Sequence, residues 1–132
     1  KLAALMERVK QDCRVIRIHA PGVVELVEAG KADTAEAVAL MEQLLGPWMG
    51  QLDALVLGCT HYPFMKKAMA QVLGEGVELL DGGAGTARET KRRLREAGLL
   101  RDGPGELRLE NSSKDPGKIE LIRQLLDEKN AK

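Results

Sequence analysis

Leu57-Gly58-Cys59-Thr60-His61-Tyr62-Pro63 sets a thiol, a hydroxyl and an imidazole on three consecutive residues at the end of an apolar run. A thiolate beside an imidazole can exchange protons, and a hydroxyl with neighbouring backbone amides can grip a carboxylate. Free cysteine is also among the most buried residue types, so packing competes with chemistry at Cys59. The neighbours favour chemistry, because a helix amino terminus stabilises a thiolate and His61 can lower the thiol pKa further. Taken singly, His61 also reads as a loop residue satisfied by backbone, and Thr60 as a helix cap.

These groups need elements to position them. Asp53-Ala54-Leu55-Val56-Leu57 reads as a short buried strand, Gly58 frees the chain to turn, and Pro63 suits the first turn of a helix implied by Phe64, Met65, Ala68, Met69 and Val72. Cys59 then projects from the carboxyl end of a strand, the edge where open α/β sheets bind ligands. Short aliphatic runs alternate with amphipathic ones along the chain, the rhythm of βαβ units. An opening helix ends near Gln11, and Val15-Ile16-Arg17-Ile18 makes the first strand. Val23 to Ala29 is a short helix stopped by Gly30, and Thr34 caps a helix with Ala35, Val38, Met41, Leu44 and Leu45 on its apolar stripe.

Downstream, Gly74 ends the helix begun at Pro63, and Val77-Glu78-Leu79-Leu80 is a strand stopping at Asp81-Gly82-Gly83-Ala84-Gly85. A charged helix runs from Thr86 to Ala97, Leu107-Arg108-Leu109 is a last strand, and Asn111-Ser112-Ser113-Lys114-Asp115-Pro116 leads into a terminal helix with Ile119, Ile122, Leu125 and Leu126. The turn at Asp81 to Ala87 superficially resembles a phosphate cradle, but without the Lys-Ser/Thr of a P-loop it reads as a tight strand-to-helix connection.

The 132 residues suit one domain. Leu2, Leu5, Met6 and Val9 fall in helical register from the outset with no initiator Met, which predicts a portion of something longer. Twenty basic and twenty acidic side chains cancel, and Trp48, Tyr62 and Phe64 are the only aromatics, so neither a basic stripe nor a base-stacking platform exists and no nucleic-acid partner is expected. Cys13 and Cys59 lack the spacing of a disulfide framework, pointing to a reducing, cytoplasmic setting. No signal-peptide pattern or apolar run near the ~20 residues of a membrane span is present, so no membrane partner is expected. A zinc set of Cys59, His61, Cys13 and His19 can be drawn, but neither cysteine belongs to a Cys-x-x-Cys pair and no metal site is expected.

The motif at Leu57 to Pro63 resembles the carboxy-terminal cysteine motif of bacterial glutamate racemases, within the aspartate/glutamate racemase family. Ala20-Pro21-Gly22-Val23-Val24-Glu25-Leu26-Val27-Glu28-Ala29-Gly30 is similar to the segment that precedes that cysteine in the family. Leu80-Asp81-Gly82-Gly83 resembles the strand and turn that follow it, and Asn111 to Pro116 resembles the family's closing Thr-Ser-Gly-Asp-Pro-like stretch. Histidine after Cys-Thr, where aspartate racemases commonly carry glutamate, favours the glutamate enzyme.

The resemblance implies a cofactor-independent racemase in which two cysteines work on opposite faces of glutamate, supplying D-glutamate for peptidoglycan. It makes Cys59 one acid/base residue, accepting a proton from L-glutamate and donating one to D-glutamate. Thr60 would bind substrate, His61 would bind it and assist Cys59, and Glu28 matches the auxiliary acidic position, with Glu25 the second choice. The family's other cysteine, in an Ala-Cys-Asn-Thr-like motif, has no counterpart here, nor have its Asp-Ser-Gly and Tyr-Gly motifs. Cys13, followed by Arg14 and Val15, does not replace it.

The implied fold is an α/β, parallel-sheet lobe with flanking helices: residues 1–84 form the second lobe of a two-lobed racemase, and 85–132 form the returning C-terminal segment that completes the first. Half the active site would then be missing, so the chain alone is expected to be inactive, with the absent N-terminal lobe or a second copy as partner. The alternative is a non-catalytic small-molecule-binding or interaction module built from the same lobe.

Overall fold

The computed structural model describes residues 13–113 and 115–130; the opening helix expected before Gln11 lies outside them. The first element, α1 (Val23–Glu28), buries Val23, Leu26 and Val27 on one face and leaves Glu25 and Glu28 exposed on the other. Helix α2 (Ala35–Leu45) begins where the sequence predicts: the Thr34 hydroxyl accepts a hydrogen bond from the Ala37 amide at 3.4 Å, satisfying one amide of the first turn. Its buried stripe is Ala37, Met41 and Leu45.

Strand β1 (Ala54–Val56) leads through a 3₁₀ turn (Tyr62–Met65) into α3 (Lys66–Leu73) and on to β2 (Glu78–Leu80), a single βαβ unit. The strands pair parallel, Ala54 opposite Glu78, Leu55 opposite Leu79 and Val56 opposite Leu80. The ladder is extended by Glu78 N–H to Asp53 O and Leu57 N–H to Leu80 O, at 3.0 and 2.8 Å. Gly74 closes α3 at φ 81°, the left-handed region open to glycine. Helices α2 and α3 pack on each other, and the 3₁₀ turn packs on α1. The resulting core joins Val23, Leu26, Val27, Met41, Leu45, Leu57, Met65, Ala68, Met69 and Val72.

The architecture is α/β with a small parallel sheet and flanking helices. Three local expectations are corrected. The strand at 53–57 is not buried on both faces: Leu55 is half-buried, but Val56 is 70% exposed. Residues 15–18 and 107–109 are not strands, because a strand exists only through a neighbour's ladder and the sheet among the described residues holds β1 and β2 alone. Ile18 instead packs as a loop residue against the core, and Leu107 stands in solvent. The helix foreseen from Pro63 starts as a 3₁₀ turn, because Pro63 lacks an amide donor and disfavours the α conformation at Tyr62.

Beyond β2, the Asp81 carboxylate accepts the Gly83 amide at 2.7 Å and opens α4 (Gly83–Glu96). This amide is thereby engaged by the turn itself, as a tight connection requires. Helix α4 buries no residue and carries Glu89 between Arg92 and Arg93, with Arg92 reaching Glu96, pairs spaced to support an exposed helix. The last helix, α5 (Pro116–Asn130), returns to the body of the fold, where Leu125 packs on the core.

Candidate functional site

Cys59 sits three residues beyond β1, at the carboxyl end of the sheet, and is half-buried. Its Sγ lies 3.8 Å from His61 Nδ1, a close sulfur–nitrogen approach across two residues. On the other side of the ring, His61 Nε2 is 2.9 Å from Glu28 Oε1, and Glu28 Oε2 is 2.8 Å from Lys118 Nζ. The four side chains form one line, Lys118–Glu28–His61–Cys59, drawn from α5, the end of α1 and the loop after β1.

The line fixes the chemistry of its middle member. When Nε2–H donates to the Glu28 carboxylate, Nδ1 is the nitrogen presented to sulfur, free to take the thiol proton. Glu28, first, and Cys59, second, hold the His61 imidazolium above the usual histidine range. The His61 backbone amide, and then its ring, hold the Cys59 thiol below the usual cysteine range, and burial opposes them. Lys118 and then His61 hold the Glu28 carboxyl low. Together these shifts bring the thiol and the imidazolium toward each other in acidity, which eases proton transfer from the sulfur to the ring.

The structure thus brings together Cys59, His61 and Glu28. Thr60 is exposed and outside this line of contacts, and it does not cap the following turn, whose N-cap is His61 with no side-chain bond. Glu25, the second choice for the acidic position, is exposed one helical turn before Glu28 and makes none of these contacts. Cys13 is exposed in the segment before α1. Among the described residues no three His, Cys, Asp or Glu side chains are grouped to hold a metal ion. Sequence reasoning missed Lys118, which lies 90 positions from Glu28. Only its place just after the motif-like Asn111–Pro116 loop hinted at it.

From this geometry Cys59 is expected to be the more reactive thiol. Cys13 is exposed and Cys59 half-buried, so accessibility works against the lowered thiol pKa of Cys59; near neutral pH that lowering is expected to decide, because each unit of thiol pKa above ambient pH cuts the thiolate about tenfold. Iodoacetamide should label Cys59 first, and His61→Ala should slow that labelling several-fold. Peptide mapping with Cys13 modified first, or a rate at Cys59 indifferent to His61→Ala, would contradict the assignment.

No family model matches the chain. It is 37% identical over 130 residues to the glutamate racemase of Clostridium perfringens strain SM101, an alignment covering 96% of this chain and 50% of that protein. The crystal structure of glutamate racemase from Thermus thermophilus, in complex with β-chloro-D-alanine, superposes with a TM-score of 0.65 at 37% identity, over 81% of this chain and 41% of that one. A Francisella tularensis glutamate racemase structure shares the fold over 95% of this chain and 48% of its own, with TM-score 0.72 at 21% identity. The chain spans about half the length of the curated relatives it matches.

Proposed function

We infer, on the premise that this chain is a homologue of one half of glutamate racemase, that it contributes one of two acid/base thiols to the interconversion of L- and D-glutamate. The contact from Cys59 Sγ to His61 Nδ1, backed by Glu28, carries this reading. The Cα–H of an amino acid is a very weak acid, so a base must be positioned close to it and the charge left behind must be stabilised.

In the direction from L-glutamate, the Cys59 thiolate takes the Cα proton: the Cα–H bond breaks, an S–H bond forms, and the electron pair moves toward the substrate carboxylate. A second thiol on the opposite face returns a proton. In the reverse direction the Cys59 thiol is the donor. His61 keeps Cys59 ionised and contacts substrate, and Thr60, exposed beside it, presents a hydroxyl to a substrate carboxylate. No organic cofactor is required by this chemistry. The product D-glutamate serves peptidoglycan synthesis in the cytoplasm, and among the described residues no helix is long and apolar enough to cross a membrane.

Residues 1–84 then form the lobe that carries Cys59, and 85–132, whose α5 also rests Leu125 on the core of that lobe, form the segment that completes the companion lobe; the companion lobe supplies the second thiol. The test is exchange at Cα in deuterium oxide, followed by mass spectrometry and chiral analysis. The 132-residue chain alone is expected to interconvert neither enantiomer, and activity should appear when a racemase amino-terminal half with its cysteine motif is joined to it. Racemisation by the isolated chain would overturn the two-thiol reading. A joined protein that binds glutamate without exchange would leave the non-catalytic module standing.

A further inference from the structure

We propose that Lys118 is a positioning residue for Cys59 and His61: its ammonium holds the outer oxygen of the Glu28 carboxylate, so that the inner oxygen faces the His61 ring. The inference deepens the acid/base reading above and rests on it for its catalytic meaning. Its structural content is independent of any substrate.

Glu28 needs such a hold. It is the last residue of α1, its side chain is 48% exposed, and the final turn of that helix has no basic residue. A carboxylate at a helix carboxyl end meets the unfavourable end of the dipole, and a solvated glutamate gives up rotamer freedom to keep one orientation. One hydrogen bond to an imidazole leaves the other oxygen free to swing the group away. Lys118 engages that oxygen at 2.8 Å while His61 engages the first at 2.9 Å, so the carboxylate is gripped at both ends.

The cation is itself seated by packing. Positions 118, 121 and 125 share a face of α5. Leu125 packs on the core, and Leu121 lies so near Gly30 that a Cβ there would stand 3.5 Å from its Cδ1. Lys118 therefore arrives beside the end of α1 because the apolar side of α5 docks there. The charged groups acting on the line are Glu28 from α1, His61 and Cys59 from the loop after β1, and Lys118 and Asp115 at the start of α5.

Two effects of Lys118 oppose each other. Its positive charge disfavours a second cation on His61, whereas its grip on Glu28 keeps the carboxylate aimed at that cation. The orienting effect wins, because the ammonium acts across the carboxylate at a solvated position where direct charge repulsion is screened, while the His61–Glu28 hydrogen bond depends steeply on geometry.

The test is the pH profile of Cys59 alkylation by iodoacetamide in the full chain, without glutamate, read by peptide mapping. Lys118→Met is expected to move the profile to higher pH and slow labelling at pH 7 by about two- to five-fold, the range of an exposed ion pair. Lys118→Arg should restore it, and in a Glu28→Gln background Lys118→Met should add nothing further. An unchanged or faster rate in Lys118→Met, failure of arginine to restore it, or an equal slowing in the Glu28→Gln background would overturn the proposal. The outcome is separable from the racemase reading: a displaced thiol profile without glutamate exchange in the joined protein would keep Lys118's role and remove the substrate.

Discussion

Cys59→Ser in the joined two-lobe protein is expected to lower kcat for glutamate racemisation by about 10³-fold, within the range of a lost general acid/base, and to leave KM nearly unchanged. The substitution keeps the size of the side chain and changes only its acidity. A serine hydroxyl is far too weak an acid for the His61 imidazole to ionise at neutral pH, even with Glu28 behind the ring at 2.9 Å. Cys59 is half-buried and outside the packed core, so the variant should unfold at the same denaturant concentration as the parent. Exchange at Cα should be lost for the enantiomer whose proton Cys59 removes, and isomerisation should fail in both directions, because each turnover uses both thiols. More than a tenth of the parental kcat in Cys59→Ser would remove Cys59 from the proton path.

Much of this site could be read locally. Cys59, Thr60 and His61 are adjacent, and their chemistry follows from residue type. Thr34 and Gly74 mark helix ends through bonds and dihedrals confined to a few residues. What depended on partners far along the chain was less legible. Val15 to Ile18 has the composition of a strand but no neighbour to pair with among the described residues, so it lies as loop with only Ile18 on the core. The same holds for Leu107 to Leu109. Val56 was expected inside a covered sheet, and alternation along β1 instead turns it to solvent beside Leu80 of β2. Lys118 is the extreme case: no spacing rule joins it to Glu28, and only the docking of α5 against the end of α1 does so.

Met65→Ala is expected to destabilise the fold by about 2–5 kcal/mol, the cost of truncating a buried methionine, and Met65→Leu by less than about 1.5 kcal/mol because volume is conserved. Met65 is fully buried, the last residue of the 3₁₀ turn, and joins Val23, Leu26 and Val27 of α1 in one cluster. The same turn follows His61 directly, and the same helix ends at Glu28. Met65 is therefore expected to act as the apolar fastening beneath the polar contact, holding the element bearing the imidazole to the element bearing the carboxylate. Loosening it should slacken the His61–Glu28 hydrogen bond as well as cost stability, and the Cys59 alkylation profile should move to higher pH. Met41 supplies the control. It is as deeply buried, but on α2, whose main packing is against α3. Met41→Ala should lose comparable stability in urea unfolding while leaving the Cys59 profile in place under native conditions. Equal displacement of the profile by both variants would mean that general loosening, rather than the fastening of the turn to α1, governs the thiol, and a loss below about 1 kcal/mol in Met65→Ala would deny the fastening altogether.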